Sequence, residues 1–143
     1  MNTVNAMNRH PYLRAYLAGI AIPTVFLLGI MTGYTILRYV YNLPVPIERV
    51  IVFPMAAVPN IWGLWNVLYT AGIAPRKFPL GLFGAILPIL LAPFGYAVAR
   101  LLDFSIPSVV FHAFPYAFPV GLILYYLAWK HLVGFLNQEL GLA

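Results

Sequence analysis

The chain has 143 residues, of which 63% are hydrophobic and 8% are charged, and its formal net charge is +5. With a mean hydropathy of +0.89, it has too few polar side chains to cover a water-soluble domain of this length. The chain contains no cysteine, which excludes disulfides, thiolate nucleophiles, Cys-ligated zinc and iron–sulfur clusters. The composition indicates an all-α membrane protein whose first partner is the lipid bilayer.

Four runs without a charged residue follow one another along the chain. They lie between Arg14 and Arg38, Arg49 and Arg76, Lys77 and Arg100, and Asp103 and Lys130, and they hold 23, 26, 22 and 26 residues. Because a helix needs about 20 apolar residues to cross about 30 Å of hydrocarbon, each run is long enough for one crossing and too short for two. The sequence predicts transmembrane helices over 13–38, 49–73, 79–101 and 109–131, in a single integral membrane domain of residues 1–143.

The connections between these helices are short and contain proline: "YNLPVPIE", "GIAPRKFP" and "DFSIPSVV". We therefore expect successive helices to run antiparallel, as an up-down bundle. Four crossings place both termini on one side, together with Arg9, Arg14, Arg76, Lys77, Lys130 and Glu139, a net charge of +4. The other side holds Arg38, Arg49, Arg100, Glu48 and Asp103, a net charge of +1. This asymmetry predicts cytoplasmic termini and a multi-pass protein of a prokaryotic inner membrane.

Small residues recur along three of the predicted helices. Helices in lipid associate through close backbone approach and polar contacts, so small residues mark their interfaces. The first helix has Gly29-xxx-Gly33 with Ala18 and Val25 nearby on the wheel; the third has Gly81, Ala85, Pro88, Ala92, Gly95 and Ala99; the fourth has Ala113, Ala117, Gly121, Leu124 and Ala128. These seams fit packing within one bundle, or packing with one seam left for a second copy of the chain.

The second predicted helix carries the polar residues. One face combines Ala56, Asn60, Gly63, Asn66, Val67 and Thr70. Since this face is small and polar, we expect it to point into the bundle, with Trp62 and Trp65 mainly elsewhere.

Prolines interrupt every predicted helix. Each interior proline leaves the carbonyl four residues earlier without its helical donor, and in lipid that carbonyl must be met from within the protein. We expect Asn60 and Asn66 to bond to such carbonyls and to Thr24, Thr32 or Thr35 of the first helix. Alternatively, because Pro23, Pro59, Pro88 and Pro115 lie at similar depth, their kinks open a midplane pocket. Asn60, Asn66 and Thr24 are its candidate binding residues.

The residues that would carry chemistry are scarce. The three acids, Glu48, Asp103 and Glu139, all map to membrane edges, which disfavours ion-coupled transport. The pattern predicts no catalytic residue, metal, cofactor or nucleic-acid partner. We expect a non-enzymatic structural or accessory component, either a homo-oligomer or a subunit of a larger membrane-protein complex. The alternative is a small passive channel or carrier around Asn60, and a third interpretation is a lipid-modifying enzyme with its active groups at the outer rim.

Overall fold

The computed structural model describes residues 10–45, 47–73, 77–106 and 108–142, which form helices and turns without a strand. In chain order these are α1 (Pro11–Tyr39), α2 (Ile47–Val50), a π-helix (Ile51–Met55), α3 (Ala56–Leu68), a π-helix (Tyr69–Ile73), α4 (Leu80–Leu101), α5 (Ser108–Leu127), a π-helix (Ala128–Val133) and α6 (Gly134–Glu139). Residues 47–73 are helical throughout, as are residues 108–139. The described chain therefore has four helices, numbered first to fourth below, and the prediction of an all-helical protein is confirmed to this extent.

Three of the four helices are long and apolar enough to cross a membrane: Pro11–Tyr39, Leu80–Leu101 and Ser108–Glu139. The second helix is divided by its two π-helices, and its longest α-helical part, α3, has 13 residues. Pro54 lies inside the first of these π-helices and Pro59 inside α3. Proline cannot donate the usual α-helical bond, so wider turns near it keep the chain helical.

The helices pair in two antiparallel hairpins. In the first hairpin, the first and second helices meet backbone to backbone, since a Cβ on Gly19 would lie 2.7 Å from the Cα of Gly63. In the second hairpin, the third and fourth helices meet where the indole of Trp129 covers Gly84, and a Cβ on Gly84 would lie 1.9 Å from the Trp129 Cγ. Glycine at these positions allows the helices of each hairpin to approach each other closely.

The two hairpins meet at the end of the bundle where the first helix begins and the fourth helix ends, which is called the inner end below. Trp62, Leu87, Trp129 and Val133 form a buried cluster there. The rings of Trp62 and Trp129 lie 5.1 Å apart, and Trp65 stacks on Phe83 at 4.6 Å. Towards the opposite, outer end the hairpins separate, and α5 contains no buried residue.

The predicted small-residue seams are only partly used within the chain. All six seam residues of the third helix are buried or half-buried, as expected. In the first helix Ala18 is buried, on a face with Ala15, Gly19, Pro23 and Leu27, whereas Gly29, Gly33 and Val25 are exposed. This part of the predicted seam is not used within the chain. In the fourth helix Ala113 and Ala117 are likewise exposed. The first and second helices approach each other closely at Gly19 and Gly63, whereas the space around Gly29 and Gly33 is open.

The prediction for the tryptophans is also wrong. Trp62 is buried at the centre of the core, and the Trp65 indole N–H donates to the Phe83 carbonyl at 2.9 Å. The second helix contacts the first helix on one side and the second hairpin on the other. Its large aromatic side is therefore covered. The predicted small, polar face is covered only in part, because Gly63 and Asn66 are buried but Ala56 and Asn60 are exposed.

The residues used to predict the orientation are only partly described. Arg9 and Arg76 lie outside the described residues. Arg14 contacts the carbonyl of Leu140, and the Lys130 Cβ lies beside Gly81, so both cations are at the inner end with the chain's last helical turn.

Candidate functional site

Two of the three predicted binding residues share one groove. Thr24 and Asn60 line a depression of about 260 Å³ between the first and second helices, together with Met55 and Pro59. Both polar side chains are exposed on the outside of the first hairpin. The groove therefore faces the surroundings of the bundle and not its interior.

The hydrogen bonds of this groove differ from those predicted. The Tyr16 hydroxyl donates to Asn60 Oδ1, and Asn60 Nδ2 donates to the Ala56 carbonyl at 2.8 Å. Thr24 donates to the Ile20 carbonyl at 2.7 Å, one turn back on its own helix. Thr32 and Thr35 make the same local bond. The predicted bonds from Asn60 to these threonines and to carbonyls freed by proline are thus wrong, because acceptors one turn back are closer.

Asn66, the third predicted residue, lies apart from this groove in a fully buried position. Its Nδ2 donates to the Ala15 carbonyl at 2.8 Å and to Asn137 Oδ1 at 2.8 Å. Asn137 Nδ2 donates back to Asn66 Oδ1 at 3.0 Å, so the two amides form a reciprocal pair. Asn137 is 4% exposed, and the pair is sealed from the surface. Asn66 therefore bonds to neither the threonines nor a carbonyl freed by proline.

A second set of bonds holds the last turn of the chain beside this pair. Gly141 has a φ of 66°, and the N–H of Leu142 donates to the Asn137 carbonyl at 2.8 Å, which closes α6 with a Schellman motif. The carbonyl of the half-buried Leu140 accepts a bond from Arg14 Nη1 at 2.6 Å. The first helix, the second helix and the chain's last helical turn are thus joined by polar contacts at one place.

An apolar groove of about 680 Å³ lies between the two hairpins, immediately outward of this junction. Its walls come from the first helix (Ile22, Pro23 and Phe26, among others), from Val58 and Trp62 of the second, and from the fourth helix between Gly121 and Leu132. Its lining includes one histidine, His131. Such a surface suits aliphatic chains or another helix and offers little for a polar solute.

The proline kinks do not converge on one pocket. Pro23 lines the 680 Å³ groove and Pro59 the 260 Å³ groove, while Pro88 and Pro115 line neither. A third groove of about 540 Å³, between the third and fourth helices, is lined by Pro93 and a row of aromatic residues. Leu27 lines both the 680 Å³ and the 260 Å³ grooves, whereas the 540 Å³ groove shares no residue with either.

The chemistry available to these grooves is limited. Among the described residues, no three His, Asp or Glu side chains come together as a metal site. The Arg38–Glu48 ion pair, at 2.6 Å, joins the first helix to the start of the second at the outer end. The polar side chains that line the described grooves are the amide of Asn60, the hydroxyls of Thr24, Tyr96 and Tyr125, and the imidazole of His131.

Sequence reasoning missed Asn137 and Gly84. Asn137 follows Trp129 and Val133 at steps of four residues, a repeat that places it on the buried side of the fourth helix. That repeat was the available signal for Asn137. Gly84 lies one turn after Gly81 and outside the stepped seam, so its role depends on the partner indole.

No family model, curated protein or solved structure matches this chain.

Proposed function

We propose that this protein is a non-enzymatic, four-span component of a prokaryotic inner membrane, with both termini in the cytoplasm. The proposal is supported by three helices of spanning length and by the charge-free run that forms the second. At 1.5 Å per residue, the continuous helix over 47–73 is about 40 Å long, enough to cross as well. The greater positive charge at the end with the termini favours this orientation.

Its role is to assemble with a further transmembrane helix through the outer half of the first helix. The observation that carries this proposal is the open space around Gly29 and Gly33, where an added Cβ would meet nothing within 4 Å. At Gly19 and Gly63, in contrast, the space that an added Cβ would need is occupied by backbone and side-chain atoms of the neighbouring helix in the same chain. A Gly-xxx-Gly face that its own bundle leaves uncovered is a surface on which a second helix can approach closely.

A second copy of the chain is the first candidate for this partner. The experiment measures the mass of the purified protein in detergent and counts copies by single-molecule photobleaching in lipid. We expect a defined oligomer that Gly29→Leu or Gly33→Leu converts to monomers. The matched control is Gly72→Leu, since Gly72 also has open space but lies at the other end of the bundle.

Purification from native membranes distinguishes the two forms of the proposal. A second polypeptide bound in fixed ratio, and lost in Gly29→Leu, would assign an accessory role in place of self-association. A native chain that is monomeric and brings down no partner would contradict the assembly proposal.

A passive carrier is the second candidate, because Thr24 and Asn60 share one groove with Pro59. Proteoliposomes loaded with small neutral solutes test it. The carrier proposal expects uptake that falls in Asn60→Leu and Thr24→Val while the protein stays folded. Equal uptake by the native chain and both variants would exclude it.

A further inference from the structure

The buried residues of the four helices are unevenly distributed along the bundle. Among the residues whose burial the structure describes, every buried one except Ile47 lies in the inner half of its helix or within one turn of its midpoint. The outer half of the fourth helix, α5, has none. The two hairpins are therefore joined at one end.

The joint is polar at its innermost point. Asn66 of the first hairpin and Asn137 of the second exchange two amide hydrogen bonds, and Asn66 also binds the Ala15 carbonyl. Breaking such a bond in a buried site leaves an amide without a partner, which is unfavourable. This contact is consequently a fixed point between the hairpins.

The region just outward of the joint is open. The 680 Å³ groove separates Val58 of the first hairpin from Leu124 of the second. The wall of the fourth helix includes Ala128 and His131, which belong to the π-helix Ala128–Val133. A π-helical turn inside a long helix is a common place for bending, since its backbone bonds are less regular.

The surroundings do not force the outer ends together. In a bilayer, apolar helix surfaces gain little by covering one another, because lipid tails are equally apolar. Separation of the outer halves therefore costs little, whereas separation at Asn66 and Asn137 costs buried hydrogen bonds.

We infer that the two hairpins form a hinge, with the Asn66–Asn137 amide pair as its pivot, and that their outer ends move relative to each other and widen or narrow the 680 Å³ groove. The inference rests on the bilayer placement proposed above and not on assembly with a partner. A protein that disperses without detergent would overturn that placement, which is a separate result from those below.

Spin-label distances test the hinge directly, and the absence of native cysteine makes the labelling specific. The outer pair is Val40→Cys with Val109→Cys, and the inner pair is Leu13→Cys with Phe135→Cys; all four sites are more than half exposed. A third pair, Val40→Cys with Ile51→Cys, lies within the first hairpin. The labelled chain is reconstituted in lipid nanodiscs with an excess of unlabelled chain, so that distances between copies do not contribute.

We expect narrow distance distributions for the inner pair and for the pair within one hairpin, and a distribution about twice as wide or wider for the outer pair. An outer distribution as narrow as the inner one would overturn the hinge.

The pivot is tested with Asn137→Leu and with the double variant Asn66→Leu/Asn137→Leu. The double variant removes both amides together and leaves no unpaired partner, so it keeps the test open if the single variant fails to fold. We expect the inner pair to lose its narrow distribution in each folded variant. A folded variant whose inner pair keeps the native distribution would overturn the assignment of the pivot.

Discussion

The indole of Trp129 occupies the space that any side chain at Gly84 would need. A Cβ at Gly84 would lie 1.9 Å from Cγ and 2.3 Å from Cβ of Trp129, which is itself fully buried. These two residues fix how closely the third and fourth helices approach each other. Since the same indole packs on Trp62, the contact also supports the joint between the hairpins.

Gly84→Ala is expected to destabilise the fold. The methyl group forces the buried indole to move, an overpacking change that costs about 1–3 kcal/mol. Thermal unfolding in detergent, followed by near-ultraviolet circular dichroism, measures the loss. The control is Gly121→Ala in the fourth helix, where an added Cβ meets nothing within 4 Å. That change should be neutral or stabilising, because alanine favours helix over glycine by about 0.5–1 kcal/mol. Equal losses in both variants would contradict the contact.

Gly19→Ala is expected to separate the first and second helices. Its Cβ would lie 2.6 Å from the Trp62 carbonyl oxygen, a backbone atom that cannot rotate away. The control is Gly33→Ala in the same helix, which has open space. The distance between spin labels on cysteines introduced at the exposed Leu13 and Leu68 reports the helix separation. Gly19→Ala should lengthen this distance and lower thermal stability, while Gly33→Ala should do neither. An unchanged distance in Gly19→Ala would show that the helices are not in backbone contact.

Asn66→Leu is expected to cost more stability than Asn60→Leu. Loss of the Asn66 amide leaves the buried Asn137 amide unpaired, which costs about 1–3 kcal/mol. Asn60 is exposed, accepts a bond from the Tyr16 hydroxyl and donates one to its own helix, so its loss should cost about 0.6 kcal/mol. Unfolding by increasing SDS in mixed micelles compares the two. A cost for Asn60→Leu equal to or above that of Asn66→Leu would contradict the arrangement.

Acid is expected to weaken the contact between the first helix and the start of the second. The pKa of Glu48 is lowered from its ordinary value of 4.5, first by a bond from its own backbone N–H and then by the Arg38 guanidinium. A carboxyl whose pKa is lower in the folded state stabilises that state above its unfolded pKa, and the effect is lost as the pH falls through the folded pKa. Carboxyl NMR shifts of Glu48 should therefore titrate below 4.5.

Glu48→Gln is the control for this titration. Glutamine cannot ionise, so the variant should show no acid-dependent change at this contact, whereas its behaviour near neutral pH should differ little for so exposed a pair. A Glu48 titration midpoint at or above the ordinary value would contradict the ion pair.

The charge pattern predicted the helices well, and the side-chain geometry poorly. Charged residues and proline-containing connections mark the ends of the first three helices closely. The fourth helix continues to Glu139, whereas the charge pattern ends it at Lys130. Membrane crossing and the orientation of the termini stay predictions.

The side-chain contacts depend on where pairs of helices cross. The sequence of the first helix does not show that the second helix crosses it at Gly19 and not at Gly29. The crossing point depends on Gly63 of the second helix, which lies against Gly19. Likewise, an amide in a helix reaches either its own previous turn, as Asn60 does, or a distant helix, as Asn66 does. That difference follows from depth in the packed bundle, which a single sequence does not state.

The π-helix Ala128–Val133 determines which side of the fourth helix its last turns present. In a regular α-helix, four residues advance by about 40° beyond a full turn, so two such steps from Trp129 to Asn137 would rotate the side chain by about 80°. The wider π turn uses more residues per turn and offsets the first of these steps. One continuous helix can therefore place Trp129 on Gly84 and, eight residues later, Asn137 on Asn66. If this segment were regular α-helix with the same residues, the amide would point about 80° away from the direction of Trp129 although every interacting residue would still be in the chain.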